Sequence, residues 1–410
     1  MSNVLLTPSL IIKEALMVLE NNLSFTKGVD KQYSPKFGTE AAAGQKIGSS
    51  IQVRKPVRYV GRTGAALSVE DAQEEYTTVS LTNQEGVDIQ FSSQELTLSI
   101  DEFSDRIIKP AMANVANRID LNGLAQYKNI YNRVGTPGTS LVGTGGAALA
   151  PYLSAGVKLD NCAAPRDGNR NAVLTAQSQA DLVQGLSGLF NDSSDVSRQY
   201  REGTMGRTAG LKFSMDQNVN THTCGQQGGT PLVNGASQTG ATLVTDGWTA
   251  SAANRLKQGD VFTIANVFSV NPQSRQSTGV LQDFVVTADA ASDGTGNCSI
   301  SISPSIIVTG AKQTVTASPA DNAAITVNGA GNALSNEQLV YHRDAFTLAS
   351  ADLVIPKGVD FAARAADKRT GLSVRIVKDY NISTDQYPCR LDVLYGWATL
   401  RPELACRVRY

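Results

Sequence analysis

The sequence predicts an α+β fold interrupted by an all-β module, and three observations carry this. Helical periodicity is clear on both sides of a long stretch, from about Gly225 to about residue 334, and is absent inside it. Within that stretch Gly, Ser, Thr, Asn and Ala separate short apolar runs, and the turn AASDGTGN at 290–297 is a hairpin signal. Finally, 410 residues exceed the roughly 250–300 that one hydrophobic core supports, so at least two compact units are expected.

Composition narrows the function classes. Only 18% of residues are charged and the formal net charge is −1, so the basic stripe of a dedicated nucleic-acid binder is missing. Cys162, Cys224, Cys298, Cys389 and Cys406 are odd in number and scattered without a CxxC pair, which reads as reduced thiols in a cytosolic folding environment. No run approaches the ~18 apolar residues of a membrane span, so a soluble chain is expected.

Taken in order, Thr7-Pro8 fits a helix start followed by Ile11, Ile12, Ala15, Leu16 and Leu19 at helical spacing, with Lys13 and Glu14 interrupting any signal-peptide run. A loose stretch leads to the alternation Ile51, Val53, Val57 and to a return leg from Tyr76 to Phe91, with Val79, Leu81, Val87, Ile89 and Phe91. Charge is sorted between the legs: Arg54, Lys55, Arg58 and Arg62 lead out, while Glu70, Asp71, Glu74 and Glu75 lead back. Charge alone favours a solvated hairpin whose sides neutralise each other, since exposed pairs contribute only ~0–1 kcal/mol. The sharper alternative is an arm that pairs with a neighbouring subunit.

A long helix is expected from about Asp101 to Tyr127, with Phe103, Ile107, Ala111, Val115 and Ile119 forming one apolar stripe and Pro110 bending it. Residues 135–150 are Gly-rich but lack the Lys-Ser/Thr of a phosphate loop, so they read as loop. A second helix spans Ser178 to Phe190. Strands are expected near Ala241–Thr245, Asp260–Val267, Val280–Thr287, Asn297–Ile302 and Ile325–Val327, in a module comparable in size to an immunoglobulin-like sandwich. Two buried-looking stretches close the chain, one through Leu391, Val393, Tyr395 and Trp397 and one from Ala405 to Tyr410.

Catalytic constellations are missing from the sequence. His222 and Cys224 stand two apart in THTC, too few ligands for zinc, and His342-Arg343-Asp344 lacks the accompanying kinase motifs. No G-x-S-x-G elbow and no nucleophile–base context occur, so no catalytic, cofactor-binding or metal residues are assigned and no enzyme is expected.

The order of elements, together with GQKIGSSIQVRKP (44–56), VDIQFSSQELTLSIDEFSDRIIKPAMANVANRID (87–120), REGTMGRTAGLKFSMDQNVNTHTCG (201–225), VYHRDAFTLASADLVIP (340–356) and RLDVLYGWATLRPELACRV (390–408), resembles the tailed-phage major capsid proteins of the P-twenty-two type. These have the Hong Kong ninety-seven capsid fold plus an inserted immunoglobulin-like domain. The resemblance implies an N-terminal arm with helix at 1–43, an extended β-hairpin loop at 44–92, the spine helix and peripheral domain at 93–134 and the first part of an axial domain at 135–225. It places an inserted β-barrel or sandwich at 226–336, with the axial return and closing peripheral strands at 337–410. The closing strands would return to the peripheral sheet under the spine helix, making Phe103, Ile107, Leu391, Val393, Tyr395 and Trp397 core anchors.

It also implies a virion subunit that folds and assembles in the host cytoplasm into pentamers and hexamers of an icosahedral shell. Implied partners are a scaffolding protein, a portal and packaged double-stranded DNA touched non-specifically, with no membrane. It reverses the preference at the hairpin, so that Arg54, Lys55, Arg58, Arg62, Glu70, Asp71, Glu74 and Glu75 become candidate intersubunit contacts. The alternative is another virion or surface binding module whose β insertion recognises carbohydrate or a partner protein through Trp248 and Tyr341.

Overall fold

The computed structural model describes residues 23–34, 48–67, 69–92, 108–139, 147–186, 207–366 and 371–410, with Ala15, Met17, Leu19 and Phe37 as further single positions. Contacts divide the chain into two units. Met1–Val53, Tyr76–Gly123 and Phe346–Leu400 form the first; Arg54–Glu75, Leu124–Ala345 and Arg401–Tyr410 form the second.

The first unit is organised around one long strand, Gln386–Thr399. Asn83–Ser92 runs antiparallel along one edge of it, from Gln386 opposite Ser92 to Tyr395 opposite Asn83. Ser373–Lys378 and Phe346–Ala351 share the other edge, and Phe361–Ala366 pairs with Ser373–Lys378. Leu391, Val393 and Tyr395 are buried, because period-2 alternation turns every second side chain toward one face. Trp397 is only half-buried, and its role is more specific than that of a core anchor. Its indole N–H donates to the Ile119 carbonyl at 3.1 Å, and its ring lies 5.3 Å from that of Phe25.

The helix Lys109–Leu124 supplies that carbonyl and buries Met112, Val115, Ala116 and Ile119 at helical spacing. Pro110 lies at the start of the described part of this helix, while the expected Asp101 cap, Phe103 and Ile107 lie outside the described residues. Buried Asp120, on the same helix, accepts hydrogen bonds from the backbone N–H groups of Ser24, Phe25 and Thr26 and from the Thr26 hydroxyl. One carboxylate thus ties the N-terminal segment to the helix. Ala15 and Leu19 are buried and Met17 exposed, as the spacing of the first helix requires.

The glycine between Tyr395 and Trp397 also has a reason. A Cβ on Gly396 would stand 1.9 Å from the Ser80 carbonyl oxygen, so only glycine lets the two backbones meet. The return leg of the hairpin is accordingly two strands. Tyr76–Ser80 pairs with Ser50–Arg54 in a small sheet, and Asn83–Ser92 belongs to the larger one.

The second unit contains a sheet ordered Arg133–Gly135, Ala405–Arg409, Leu334–His342, Arg170–Leu174, Leu211–Met215 and Arg207–Thr208, with Thr221–Thr223 also pairing to Leu334–His342. Helix Ala150–Asn161, which the Gly-rich reading did not anticipate, buries Tyr152, Ala155 and Leu159 on one face. Helix Ala176–Leu186 follows, and the expected continuation to Phe190 lies outside the described residues. The two closing stretches therefore do not share a sheet: Gln386–Thr399 is central to the first unit, whereas Ala405–Arg409 is central to the second. The break falls at Arg401-Pro402, where a 3-10 turn at Pro402–Leu404 starts a new strand.

All five expected strands of the β module are present; Gly229–Val233 is added to them, and Ala252–Leu256 and Ala290–Ser292 form a separate two-stranded sheet. The first six follow the order Ile325–Val327, Val261–Val270, Ser277–Val286, Cys298–Ile306, Gly240–Trp248 and Gly229–Val233. An antiparallel bridge between Leu232 and Ala324 joins the last strand to the first. The result is one closed ring of six antiparallel strands, where a sandwich would have two facing sheets. Phe262, Ile264, Phe284, Ile300 and Ile302 fill it, while Val261 and Val285 face outward onto buried Tyr131.

Candidate functional site

Besides the clusters of Arg133 and Lys158 on Asp283 and of Arg166 and Arg170 on Asp160, the second unit holds two charged groups that contrast in exposure, the arm at 54–75 and a buried joint beneath the barrel. In the arm the sorted charges largely meet one another or their own chain. Arg54 pairs with Glu74 at 3.4 Å across the legs, Glu70 accepts from the Val60 N–H, and Arg62 donates to the Gly64 and Ala66 carbonyls. Arg58 reaches Glu403 at 3.0 Å, and Glu75 reaches Lys312 of the β module at 2.9 Å. The Lys312 hydrogen bond holds the Glu75 carboxyl below its ordinary range. Arg275 donates to the Tyr59 and Val60 carbonyls. Asp71 is exposed and Lys55 half-buried. Tyr59, Val60, Leu67 and Val69 expose large apolar surfaces.

The joint is the opposite case. Glu337, Arg407 and Arg409 are fully buried. Glu337 stands directly across the ladder from Arg409, and Arg407 lies two residues before it on the same face. Arg409 Nε donates to Glu337 Oε1 at 2.8 Å, and its other nitrogens reach Asn328, Ser335 and Cys224. Arg407 is 3.6 Å from Glu337 Oε2, donates to the Gly259 carbonyl and lies over the Tyr127 ring. Burial pushes the Glu337 carboxyl up, but the two guanidiniums outweigh it and hold the group below its ordinary range. Burial dominates at the less well-paired Arg407, which falls to about 10.

His222 bridges Tyr127 (3.1 Å) and Asp260 (2.9 Å), and one tautomer serves both: the Tyr127 hydroxyl donates to Nδ1 while Nε2–H donates to Asp260. Asp260 also accepts from the N–H groups of Gly225 and Lys257. Two carboxylates thus balance two guanidiniums where the barrel meets the sheet. The sequence hint was ACRVR, in which strand periodicity puts both arginines on one face; their carboxylate partners are remote in sequence and were missed.

The joint also corrects the ligand count at THTC. His222, Cys224 and Asp260 place donor atoms within 4.8 Å of one another, and Asp260, 38 residues from His222, escapes any spacing argument. These three could hold a metal only by displacing existing bonds, because His222 Nε2 is engaged with Asp260 and the Arg409 guanidinium stands 3.8 Å from Cys224 Sγ. Burial additionally pushes the Cys224 thiol up, away from the thiolate that binds metal. His342 is buried against Asp167 at 3.1 Å. Trp248 and Tyr341, offered above as binding contacts, are both buried; the Trp248 indole N–H is satisfied by Thr245, so neither presents a recognition surface.

A family model described as P22 coat protein, gene protein 5, matches residues 2–407. No curated protein matches. Among solved structures, one from Mycobacterium phage Che8 is similar over 94% of this chain and 90% of that chain, at 12% identity and a TM-score of 0.46. The capsid structure of cyanophage P-SCSP1u is similar over 88% and 83%, at 10% identity and a TM-score of 0.43. The mature capsid of bacteriophage PhiM1 is similar over 89% and 83%, at 11% identity and a TM-score of 0.41. With nearly every residue inside the family match, the chain belongs to the P22 coat protein family: it is a major capsid protein, the repeated subunit of a phage's icosahedral shell.

Proposed function

We propose that the subunit works without a chemical step, and that shell building rests on the arm at 54–75 contacting a neighbouring copy. Leu67 and Val69, 84% and 80% exposed and two residues apart in the arm, carry this reading, because large apolar side chains left in water gain by being covered. Pentamers and hexamers, a scaffolding protein, a portal and assembly in the host cytoplasm complete the reading. The net charge of −1 suits a container that touches its double-stranded DNA without gripping it, since phosphate neutralisation is what drives tight binding. Reversing Arg54, Lys55 and Arg58 to Glu together is expected to abolish particles in electron micrographs while the free subunit melts as the parent does. Normal shells from that variant would end the arm's role.

Residues 226–336 fold, on this reading, as an autonomous insertion of the immunoglobulin-like size class. The isolated fragment is expected to show strand-type circular dichroism and one cooperative melt. An unstructured fragment would show that the barrel depends on the sheet beneath it.

A further inference from the structure

The second unit holds a cleft of about 630 Å³ between the base of the arm, the barrel and the closing turn, a volume in the range of small-molecule sites. Its charges do not balance. Lys55, Arg58, Lys158, Lys312 and Arg401 line it, five cations against the three carboxylates Glu75, Asp283 and Glu403. Each carboxylate is already taken: Glu75 by Lys312 at 2.9 Å, Glu403 by Arg58 at 3.0 Å and Asp283 by Lys158 at 2.6 Å. Burial pushes the Cys162 thiol, also in the wall, up to about 11, so it adds no negative charge at neutral pH.

Lys55 and Arg401 are therefore left over, and neither side chain has a partner among the described residues. Both are half-buried, unlike the exposed Arg54 and Arg62 farther along the arm's legs. Partial removal from water strengthens their pull on an anion. Their backbones are also fixed. The Lys55 N–H donates to the Glu75 carbonyl at 2.7 Å and the Arg401 N–H to the Ala345 carbonyl at 3.2 Å.

A third group points to the same space. Tyr131 is only 8% exposed and lines the cleft, yet its hydroxyl has no hydrogen-bond partner among the described residues. A buried tyrosine hydroxyl ordinarily has one. Cys162, Glu403, Arg58 and Asp283 act on it electrostatically, and all of them are in the cleft wall. Burial pushes the phenol well above its ordinary value, which keeps it a neutral O–H donor. Val57, Val280 and Ile307 add apolar wall beside these polar groups.

We infer that this cleft binds a small organic phosphate monoester. Lys55 and Arg401 neutralise the phosphate, the Tyr131 hydroxyl donates to it, and the apolar wall takes the body of the ester. Such a group carries about 1.5–2 negative charges at pH 7 and three acceptor oxygens, which matches two surplus cations and three donors. A bound ester ties the base of the arm to the closing turn, so the free subunit gains stability with ligand concentration. None of this depends on where the arm's tip goes, so failure of the neighbour contact proposed above leaves it standing.

The test uses the full-length subunit before assembly, titrated calorimetrically at constant ionic strength with inorganic phosphate, phenyl phosphate and phenol. Phenyl phosphate is expected to bind once per subunit and to raise the melting temperature. Inorganic phosphate should bind more weakly, and phenol not at all. Lys55→Gln and Arg401→Gln should each weaken phenyl phosphate about tenfold and Tyr131→Phe about fivefold, with unliganded melts close to the parent's. No saturable binding by the parent would overturn the site, as would one affinity shared by the parent and all three variants. Phenol bound as tightly as phenyl phosphate would overturn the assignment of the two cations.

Discussion

The arm and the buried joint use the same chemistry, guanidinium or ammonium against carboxylate, at opposite ends of solvent exposure. Arg54 and Glu74 in the arm have side chains 77% and 55% exposed, while Arg409 and Glu337 in the joint are both at 0%. In water the Coulomb gain of a pair is small and the ordering of two long side chains offsets much of it. Out of water the attraction is strong, but so is the desolvation cost, and the pair holds only while every member stays. An exposed pair can therefore be traded for an equivalent one on another copy. A buried pair fixes one arrangement of one chain, here the attachment of the barrel to the sheet by the closing strand.

The largest expected effect comes from breaking the joint. Glu337→Gln removes the carboxylate that is ion-paired with both buried guanidiniums, leaving only the more distant Asp260 to balance them, and is expected to cost about 3–5 kcal/mol in denaturant unfolding. A loss below about 1 kcal/mol would put Glu337 in the arm's class instead.

Acid probes the same contrast without substitution. Glu337 and Asp260 are both held below their ordinary range, the first by Arg407 and Arg409 and the second by hydrogen bonds from His222, Lys257 and Gly225, against the opposing push of burial. The folded state favours their charged forms, so their stabilisation is complete above the ordinary carboxylate range and is lost as pH falls through the folded values. Stability should thus hold from pH 7 to about 5 and decline below about 4. A rise on acidification would contradict the balance of charges drawn for the joint.

The histidines should give the smallest changes. His222→Gln keeps one of two buried hydrogen bonds and is expected to cost ~1–3 kcal/mol. His342→Gln faces the exposed Asp167 and should stay within ~1 kcal/mol. Stoichiometric zinc in purified particles, lost from the double variant, would show that His222, Cys224 and Asp260 do hold a metal.

How much of this was legible in the sequence differed between the two regions for a physical reason. The charge sorting of the arm was readable because its charges are neighbours in sequence, whereas the exposure of Leu67 and Val69 at its tip was not, since a linear pattern does not state which apolar side chains stay in water. The alternation of Leu391, Val393 and Tyr395, the apolar stripe of the long helix and the five barrel strands were equally local. The joint was not legible, because Glu337, Asp260 and Arg409 come together only through the pairing of distant strands. The division of the last twenty residues between two units was hidden for the same reason: a strand pattern states that a segment is in a sheet and says nothing of which sheet. Nothing in the sequence marks Asp120, and only the fold shows the three backbone N–H groups it serves.

One paired measurement tests the contrast most directly: thermal melting of the free subunit beside particle counting, for the Arg54, Lys55, Arg58 reversal and for Glu337→Gln. The arm variant is expected to melt as the parent does and yield no particles, and the joint variant to melt well below the parent. Normal particles from the arm variant, or a parental melt from Glu337→Gln, would contradict the assignment of exposed pairs to assembly and buried pairs to the subunit itself.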